Sequence, residues 1–122
     1  MKKIVIIDDS EEITSSLEDL LQTVGYIPFI ASNATDGLNI IRTENPDLII
    51  SDIMMPVLDG FYVLQELKSD ENISHIPVIV ITAKTEKETL TRSMDSGANY
   101  FLEKPFSIKE LLNIIESVFE NV

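Results

Sequence analysis

The chain has 122 residues, no cysteine, and a formal net charge of −12 from 21 acidic and 9 basic residues. The lack of cysteine excludes a disulfide framework and a zinc–thiolate site, and no apolar run approaches the roughly 20 residues of a membrane span. This acidity predicts no direct nucleic-acid binding by the domain, because a phosphate backbone requires a basic face. The apolar run after the basic start, Ile4 to Ile7, is too short for a signal peptide. We expect a single cytoplasmic domain, residues 1–122.

Strands and helices alternate from the start of the chain. Residues 3–7 predict a strand, and a helix follows from about Ser10 to Val24, where Gly25 stops it. Residues 26–31 predict a second strand, which Pro28 assigns to a sheet edge. Residues expected on the buried stripe of the first helix are Ile13, Leu17, Leu20, Leu21 and Val24.

The stretch from Leu48 to Pro56 organises the rest of the chain. Its β-branched and leucine residues run into Asp52 without a polar break, which indicates a strand covered on both faces. Such strands belong to parallel sheets, and open parallel sheets bind ligands at the carboxyl ends of their strands. Asp52 is therefore predicted at the functional edge.

The other predicted elements complete the alternation. They are a helix over 34–43, a helix over 59–69, a strand over 78–81, a weakly apolar helix over 86–96, a strand over 98–102 and a helix after Ser107. The buried face of this last helix is predicted to comprise Ile108, Leu111, Leu112, Ile115, Val118 and Phe119. The helix over 86–96 has only Leu90 and Met94 as an apolar pair and should be the least firmly packed. Five strands and five helices predict an α/β, flavodoxin-like doubly wound parallel sheet with strand order 2-1-3-4-5.

Polar residues follow four of these strands at one edge of the sheet. They are Asp8 and Asp9 after strand one, Asp52 at strand three, Thr82 at strand four, and Lys104 after strand five. Two carboxylates about 4 Å apart repel by roughly 1 kcal/mol in water and about 4 at an effective dielectric of 20. A cation relieves this repulsion, and oxygen ligands without histidine or cysteine select Mg²⁺, with Mn²⁺ as the alternative.

A divalent ion beside a lysine and a hydroxyl also suits a transferring phosphoryl group. The ion and Lys104 neutralise its oxygens, and the Thr82 hydroxyl donates a hydrogen bond. Asp52 is then the nucleophile that forms an acyl phosphate.

Simpler interpretations exist for each residue taken alone. Asp8 and Asp9 could be helix caps, with Asp9 and Glu12 at capping-box spacing. Thr82 could be an ordinary strand-end threonine. His75, the only histidine, is expected on a surface loop far from the strand-end cluster.

Two other functional classes are alternatives. A phosphatase of the haloacid dehalogenase type forms an aspartyl phosphate but uses Asp-x-Asp after strand one, where this chain has Asp8-Asp9-Ser10. A flavodoxin-like cofactor binder needs a phosphate loop there, and the acidic residues of this chain would repel a flavin phosphate.

The sequence resembles the receiver domains of two-component response regulators over essentially its whole length. The resemblance depends on six pieces in order: Ile7-Asp8-Asp9, Ser51-Asp52-Ile53-Met54-Met55-Pro56, Asp59-Gly60, Ile81-Thr82-Ala83, Ser96-Gly97-Ala98 and Lys104-Pro105-Phe106. Each piece alone is a weak motif, whereas the ordered set at this spacing is specific.

The resemblance implies a role for each matching residue. Asp52 accepts a phosphoryl group from a phosphohistidine on a sensor histidine kinase or histidine phosphotransfer protein. Asp8, Asp9, Asp52 and the Met54 backbone carbonyl hold Mg²⁺. Thr82, the Ala83 amide and Lys104 contact the phosphoryl oxygens, and Lys104–Pro105 is expected to be a cis peptide. Phe101 is the switch aromatic that moves with Thr82.

The resemblance also implies a signalling mechanism. The chain would catalyse only its own phosphorylation and dephosphorylation, and phosphorylation would switch the face of helix four, strand five and helix five for a downstream protein or a fused output domain. No membrane partner is expected. Asn99-Tyr100 and Ile114 disfavour the dimer of winged-helix transcription factors. In the family, the residues at the positions of Met54 and Lys84 flank the path of an attacking water. Because Met54 is apolar and gives that water no hydrogen bond, we expect slow self-dephosphorylation.

Overall fold

The computed structural model describes residues 1–83 and 87–120. Within these ranges it contains five strands: β1 (Lys3–Ile7), β2 (Ile27–Ala31), β3 (Leu48–Asp52), β4 (Val78–Thr82) and β5 (Tyr100–Glu103). The helices of the same ranges are α1 (Glu11–Thr23), α2 (Ala34–Glu44), α3 (Gly60–Ser69), α4 (Lys87–Asp95) and α5 (Ile108–Glu120). The predicted start of the fourth helix, Glu86, lies outside the described residues, as does Lys84.

The strands form one parallel sheet in the order β2-β1-β3-β4-β5, which confirms the predicted topology. β2 is an edge strand, as Pro28 indicated. Ile7 pairs with Ser51 and Asp52 pairs with Ile81, so the carboxyl ends of β1, β3 and β4 lie side by side. Among the described helices, none is both long enough and apolar enough to cross a membrane.

Two apolar layers cover the sheet, one on each face. Alternate residues of β1 and β3 enter opposite layers, because successive side chains of a strand point to opposite faces. One layer comprises mainly Val5, Ile7, Leu38, Ile41, Ile49, Val63, Leu64, Leu67, Val78 and Val80, from strands, α2 and α3. The other comprises mainly Ile4, Ile6, Leu17, Leu21, Leu48, Ile50, Ile79, Ile81, Leu111, Ile115 and Val118, from strands, α1 and α5.

Helical periodicity predicted burial for two residues at helix ends that are exposed in the structure. Val24 is 45% exposed because it lies just past α1, where Gly25 adopts a φ of 98° and turns the chain. Ile108 is 60% exposed because it begins α5, one turn before the first buried residue of that helix, Leu111. Both predictions of burial were wrong.

The region around α4 is shallowly packed, as predicted. Ser93 is the buried residue among those described in this helix, whereas Leu90 and Met94 are 39% and 43% exposed. β5 begins at Tyr100 rather than at the predicted Ala98, because Gly97 adopts a φ of 107° and the chain enters the sheet only after that turn.

Candidate functional site at the carboxyl edge of the sheet

Three carboxylates converge where β1 and β3 end. One oxygen from each of Asp8, Asp9 and Asp52 lies within 4.8 Å of the others. Asp8 and Asp52 are buried, at 1% and 4% exposure, whereas Asp9 faces solvent. The convergence follows from the strand order, because parallel neighbours end at the same edge. The predicted cluster therefore forms with its three expected members.

Lys104 is the fixed cation of this cluster. Its Nζ lies 2.8 Å from Oδ2 of Asp8 and 3.3 Å from Oδ2 of Asp52. The backbone N–H of Lys104 donates to the carbonyl of Thr82 at 2.8 Å, which extends the pairing of β5 with β4 to the residue that holds the ammonium group. The Lys104–Pro105 peptide is cis, as the resemblance implied.

Two backbone amides orient the buried carboxylates. The N–H of Ser10 donates to Oδ1 of Asp8 at 2.9 Å, and the N–H of Met54 donates to Oδ1 of Asp52 at 3.2 Å. Each donor lies two residues after its aspartate, the spacing of an Asx turn. Sequence reasoning missed both bonds, although that spacing is a signal that could have found them.

The pKa values of Asp52 and Lys104 are both raised, through different balances of burial and charge. Burial and then the negative charge of Asp8 raise the pKa of Asp52, and they outweigh Lys104 and the Met54 amide, which lower it. Burial lowers the pKa of Lys104, but its hydrogen bond to Asp8 and the charges of Asp52 and Asp8 raise it by more. Lys104 therefore stays protonated, and its single positive charge leaves the three carboxylates with an excess of negative charge.

The remaining predicted residues lie around this cluster at different depths. Thr82 is fully buried at the end of β4, and Ala83 follows it at the surface. Phe101 is half-buried on β5 and packs against the layer that contains α2 and α3. Met54 is 58% exposed beside Asp52, whereas Met55 is buried.

The simpler interpretation of the first acidic pair as a capping box is wrong. The N-cap of α1 is Ser10, whose side chain accepts a hydrogen bond from the N–H of Ile13. His75 is exposed and lines a cavity with Lys2, Asp47 and Pro77 at the amino edge of the sheet. It is therefore remote from the carboxylates, as predicted.

The residues present fit a hard divalent cation. The donor set is all oxygen, which is the preference of Mg²⁺ and Mn²⁺. Burial and then the charge of Asp8 raise the pKa of Asp52 although Lys104 lies beside it, so a second cation would further stabilise its ionised form. The cluster is thus an acidic site with the donor set that Mg²⁺ prefers.

The fold and the cluster together define a class. A doubly wound sheet of order 2-1-3-4-5 with its acidic residues at the carboxyl ends of β1 and β3 is a flavodoxin-like protein with a site at the topological switch point. Within that class, the family model of the response regulator receiver domain matches residues 4–116, and the chain belongs to this family. Accepting a phosphoryl group on an aspartate in two-component signalling is the general function of the family.

Individual relatives agree with this assignment. A probable transcriptional regulator, ycf27 of Porphyridium aerugineum, is 38% identical over 121 residues, covering 99% of this chain and 49% of the relative. The alkaline phosphatase synthesis transcriptional regulatory protein PhoP of Bacillus subtilis (strain 168) is 36% identical over 110 residues, covering 90% of this chain and 45% of the relative. The chain spans about half the length of these curated relatives.

A solved structure shows the same architecture. The chemotaxis protein CheY4 of Vibrio cholerae superposes with a TM-score of 0.92 at 30% sequence identity, covering 97% of this chain and 98% of that one. Neither the phosphatase nor the cofactor-binding alternative receives support from these similarities.

Proposed function

We propose that Asp52 is the phosphoacceptor of this receiver domain. The observation that supports this most directly is the pairing of Asp52 with Lys104, 3.3 Å apart, inside a cluster that also holds Asp8 and Asp9. Asp52 is the carboxylate at the end of the central strand β3, flanked by β1 and β4. Its position leaves one oxygen held by the Met54 amide and the other beside the ammonium group of Lys104.

The transfer begins with an oxygen of the Asp52 carboxylate attacking the phosphorus of a phosphohistidine. The new O–P bond forms as the P–N bond breaks, and the imidazole nitrogen keeps the electron pair and takes a proton from water. Lys104 pairs with the phosphoryl oxygens, and the Thr82 hydroxyl and Ala83 amide donate to them. Asp8, Asp9, Asp52 and the Met54 carbonyl would hold Mg²⁺, which supplies positive charge to the carboxylates and to the phosphoryl oxygens.

The partners follow from this chemistry. The donor is a sensor histidine kinase or a histidine phosphotransfer protein, and the recipient of the signal is a downstream protein or a fused output domain. The chain would act only on itself and not as a phosphatase of other substrates, and it would work in the cytoplasm. The purified protein should turn over no phosphomonoester such as p-nitrophenyl phosphate.

Radiolabelled acetyl phosphate tests the phosphoacceptor directly. We expect Mg²⁺-dependent labelling of the wild type and none of Asp52→Asn. Asp59→Asn is the matched control, because Asp59 lies in the loop that follows Asp52 and asparagine can replace it as the N-cap of α3. Equal labelling of Asp52→Asn and wild type, or labelling unaffected by a chelator, would contradict the proposal.

The proposed switch surface comprises α4, β5 and α5. The weak packing of α4, with Leu90 and Met94 both exposed, and the half-buried Phe101 support it. Phosphorylation would shift an existing two-state equilibrium through contacts to Thr82 and Lys104. Identical NMR spectra over residues 82–106 with and without beryllofluoride would rule this switch out.

We expect the phosphorylated state to be long-lived. Met54 is 58% exposed next to Asp52 and offers an attacking water no side-chain hydrogen bond. Met54→Asn should shorten the lifetime, measured as loss of label after the donor is removed. A wild-type half-life of seconds that this variant leaves unaltered would count against the proposal.

A further inference from the structure

Gly60, the first residue of α3, lies directly against the backbone of the phosphoacceptor strand. A Cβ atom placed on Gly60 would lie 2.4 Å from the carbonyl oxygen of Asp52 and 2.7 Å from Cα of Ile53. Real Cβ atoms essentially never come within 3.0 Å of such neighbours. Any side chain at position 60 therefore requires the end of β3 or the start of α3 to move.

The same residue closes the loop that follows Asp52. The N–H of Gly60 donates to the carbonyl of Ile53 at 2.9 Å, which returns the chain to the strand end after the intervening residues. Asp59 then caps α3 by accepting a hydrogen bond from the N–H of Tyr62 at 3.1 Å. The start of α3 and the end of β3 are thus joined by both packing and a hydrogen bond.

The tip of this loop is strained. The N–H of Leu58 donates to the carbonyl of Pro56 at 2.9 Å, and the residue between them, Val57, adopts a φ of 68°. This is a γ-turn in the left-handed region, which is rare and unfavourable for a β-branched residue. A strained conformation persists only when its surroundings fix it, and here Gly60 fixes one end of the loop.

We propose that Gly60 is a positioning residue for the phosphoacceptor, because its missing side chain lets α3 press on the carbonyl of Asp52 and hold the carboxylate in place. The inference rests on the proposed role of Asp52. Displacement of this backbone would move the Asp52 carboxylate relative to Lys104 and would shift the Met54 amide that orients it. Misplacement by about 1 Å at a reacting group can lower a rate by roughly 100-fold.

Gly37 provides a matched control in the same protein. It also lies in a helix and is buried, and a Cβ atom there would lie 2.4 Å from Cδ1 and 2.6 Å from Cγ1 of Ile7. These atoms belong to the side chain of Ile7 on β1, so the clash at Gly37 is with a side chain and not with the backbone of β3. Gly37→Ala therefore crowds a helix–sheet contact to a similar degree but leaves the phosphoacceptor strand in place.

The experiment compares Gly60→Ala and Gly37→Ala in the full chain. Phosphorylation by acetyl phosphate at saturating Mg²⁺ is measured per folded molecule, with the folded fraction taken from circular dichroism. We expect the maximal rate of Gly60→Ala to fall at least about ten-fold, with the acetyl phosphate concentration for half-maximal rate little changed, whereas Gly37→Ala stays within about two-fold of wild type. A Gly60→Ala rate within two-fold of wild type, or equal losses in both variants, would overturn the proposal.

A second measurement decides the matter if Gly60→Ala does not fold. In the wild type, beryllofluoride with Mg²⁺ should shift the amide resonance of Gly60 together with that of Met54, and an unshifted Gly60 resonance would overturn the proposal. Failure of the underlying function is recognised separately, because Asp52→Asn would then be labelled as well as the wild type.

Discussion

The two edges of the sheet use polar groups in opposite ways. At the amino edge, Oδ2 of Asp47 accepts a hydrogen bond from the N–H of Lys3 at 2.8 Å, and Oδ1 of Asn99 accepts one from the N–H of Val78 at 2.9 Å. Each of these side chains satisfies a strand amide and so stabilises the fold. At the carboxyl edge, Asp8 and Asp52 are buried beside each other with one lysine between them.

The polar groups at the carboxyl edge therefore lower the stability of the folded state. Burial and the charge of Asp8 raise the pKa of Asp52, and Val57 occupies a strained conformation in the adjacent loop. Such features persist where they serve a site, and other regions of the fold offset their cost. Substitutions at the amino edge should reduce stability alone, whereas those at the carboxyl edge should change stability and phosphorylation separately.

The largest effect is expected for Lys104→Gln in a chelating buffer. Loss of the ammonium group leaves the carboxylates of Asp8 and Asp52 buried without a fixed cation, so the free energy of unfolding should fall by about 3 kcal/mol. Urea denaturation measures this loss, and labelling by acetyl phosphate, measured separately with Mg²⁺ present, should also fall. Lys109→Gln, an exposed lysine on α5, should change stability by less than about 0.5 kcal/mol. Equal effects of the two substitutions would contradict the assigned role of Lys104.

Asn99→Ala tests the amino edge. It removes the acceptor for the Val78 amide and should lower the free energy of unfolding by about 2 kcal/mol. The labelling rate per folded molecule should not change, because Asn99 lies at the edge opposite Asp52. Asn99→Asp keeps an acceptor oxygen and should recover most of the lost stability. A reduced labelling rate in Asn99→Ala would remove the distinction between the two edges.

Asp52→Asn should stabilise the chain in the absence of divalent ions. A carboxyl whose folded-state pKa is raised contributes stability at pH values below its unfolded pKa, and this contribution is lost as the pH rises through the raised value. The variant should therefore exceed the wild type by about 1 kcal/mol at pH 7, since roughly that much repulsion between two carboxylates is removed.

The pH dependence of this difference is its sharper test. Paired urea denaturations should show the advantage of Asp52→Asn shrinking as the pH falls through the raised pKa of Asp52 and disappearing by about pH 4, the ordinary carboxyl range. Mg²⁺ should stabilise the wild type more than the variant, because a ligand of the folded state raises its stability. An advantage that stays constant between pH 4 and pH 7 would argue against an electrostatic origin.

The smallest effect is expected for Val57→Gly. Relief of the left-handed conformation should raise the free energy of unfolding by about 1–2 kcal/mol. The added freedom of glycine in the unfolded chain should lower it by about 0.5–1 kcal/mol. The net gain should be roughly 0.5 kcal/mol, seen as a small rise in the thermal midpoint. Labelling should slow, because the loop that contains Met54 becomes less fixed. Val24→Gly, an exposed valine near the amino edge, should give no stabilisation.

The sequence predicted the elements best where buried strands dominate. β1, β3 and β4 are near-continuous apolar runs, and their bounds follow from the residues that break them. β5 was placed less well, because its start depends on the turn at Gly97 rather than on an apolar pattern. The exposure of Ile108 was also missed, since periodicity gives the direction of a side chain and not how far the neighbouring sheet extends beneath it.

By itself, the sequence determined the alternating architecture, the strand order expected of it, and the acidic and basic residues that meet at one edge. Those features follow from local patterns and from the rule that parallel strands end together. Only the tertiary structure decided that Asn99 accepts from β4 and that Gly60 lies against the strand of Asp52. The distances that matter there depend on how separate elements pack, and a change of a few tenths of an ångström decides whether a side chain fits.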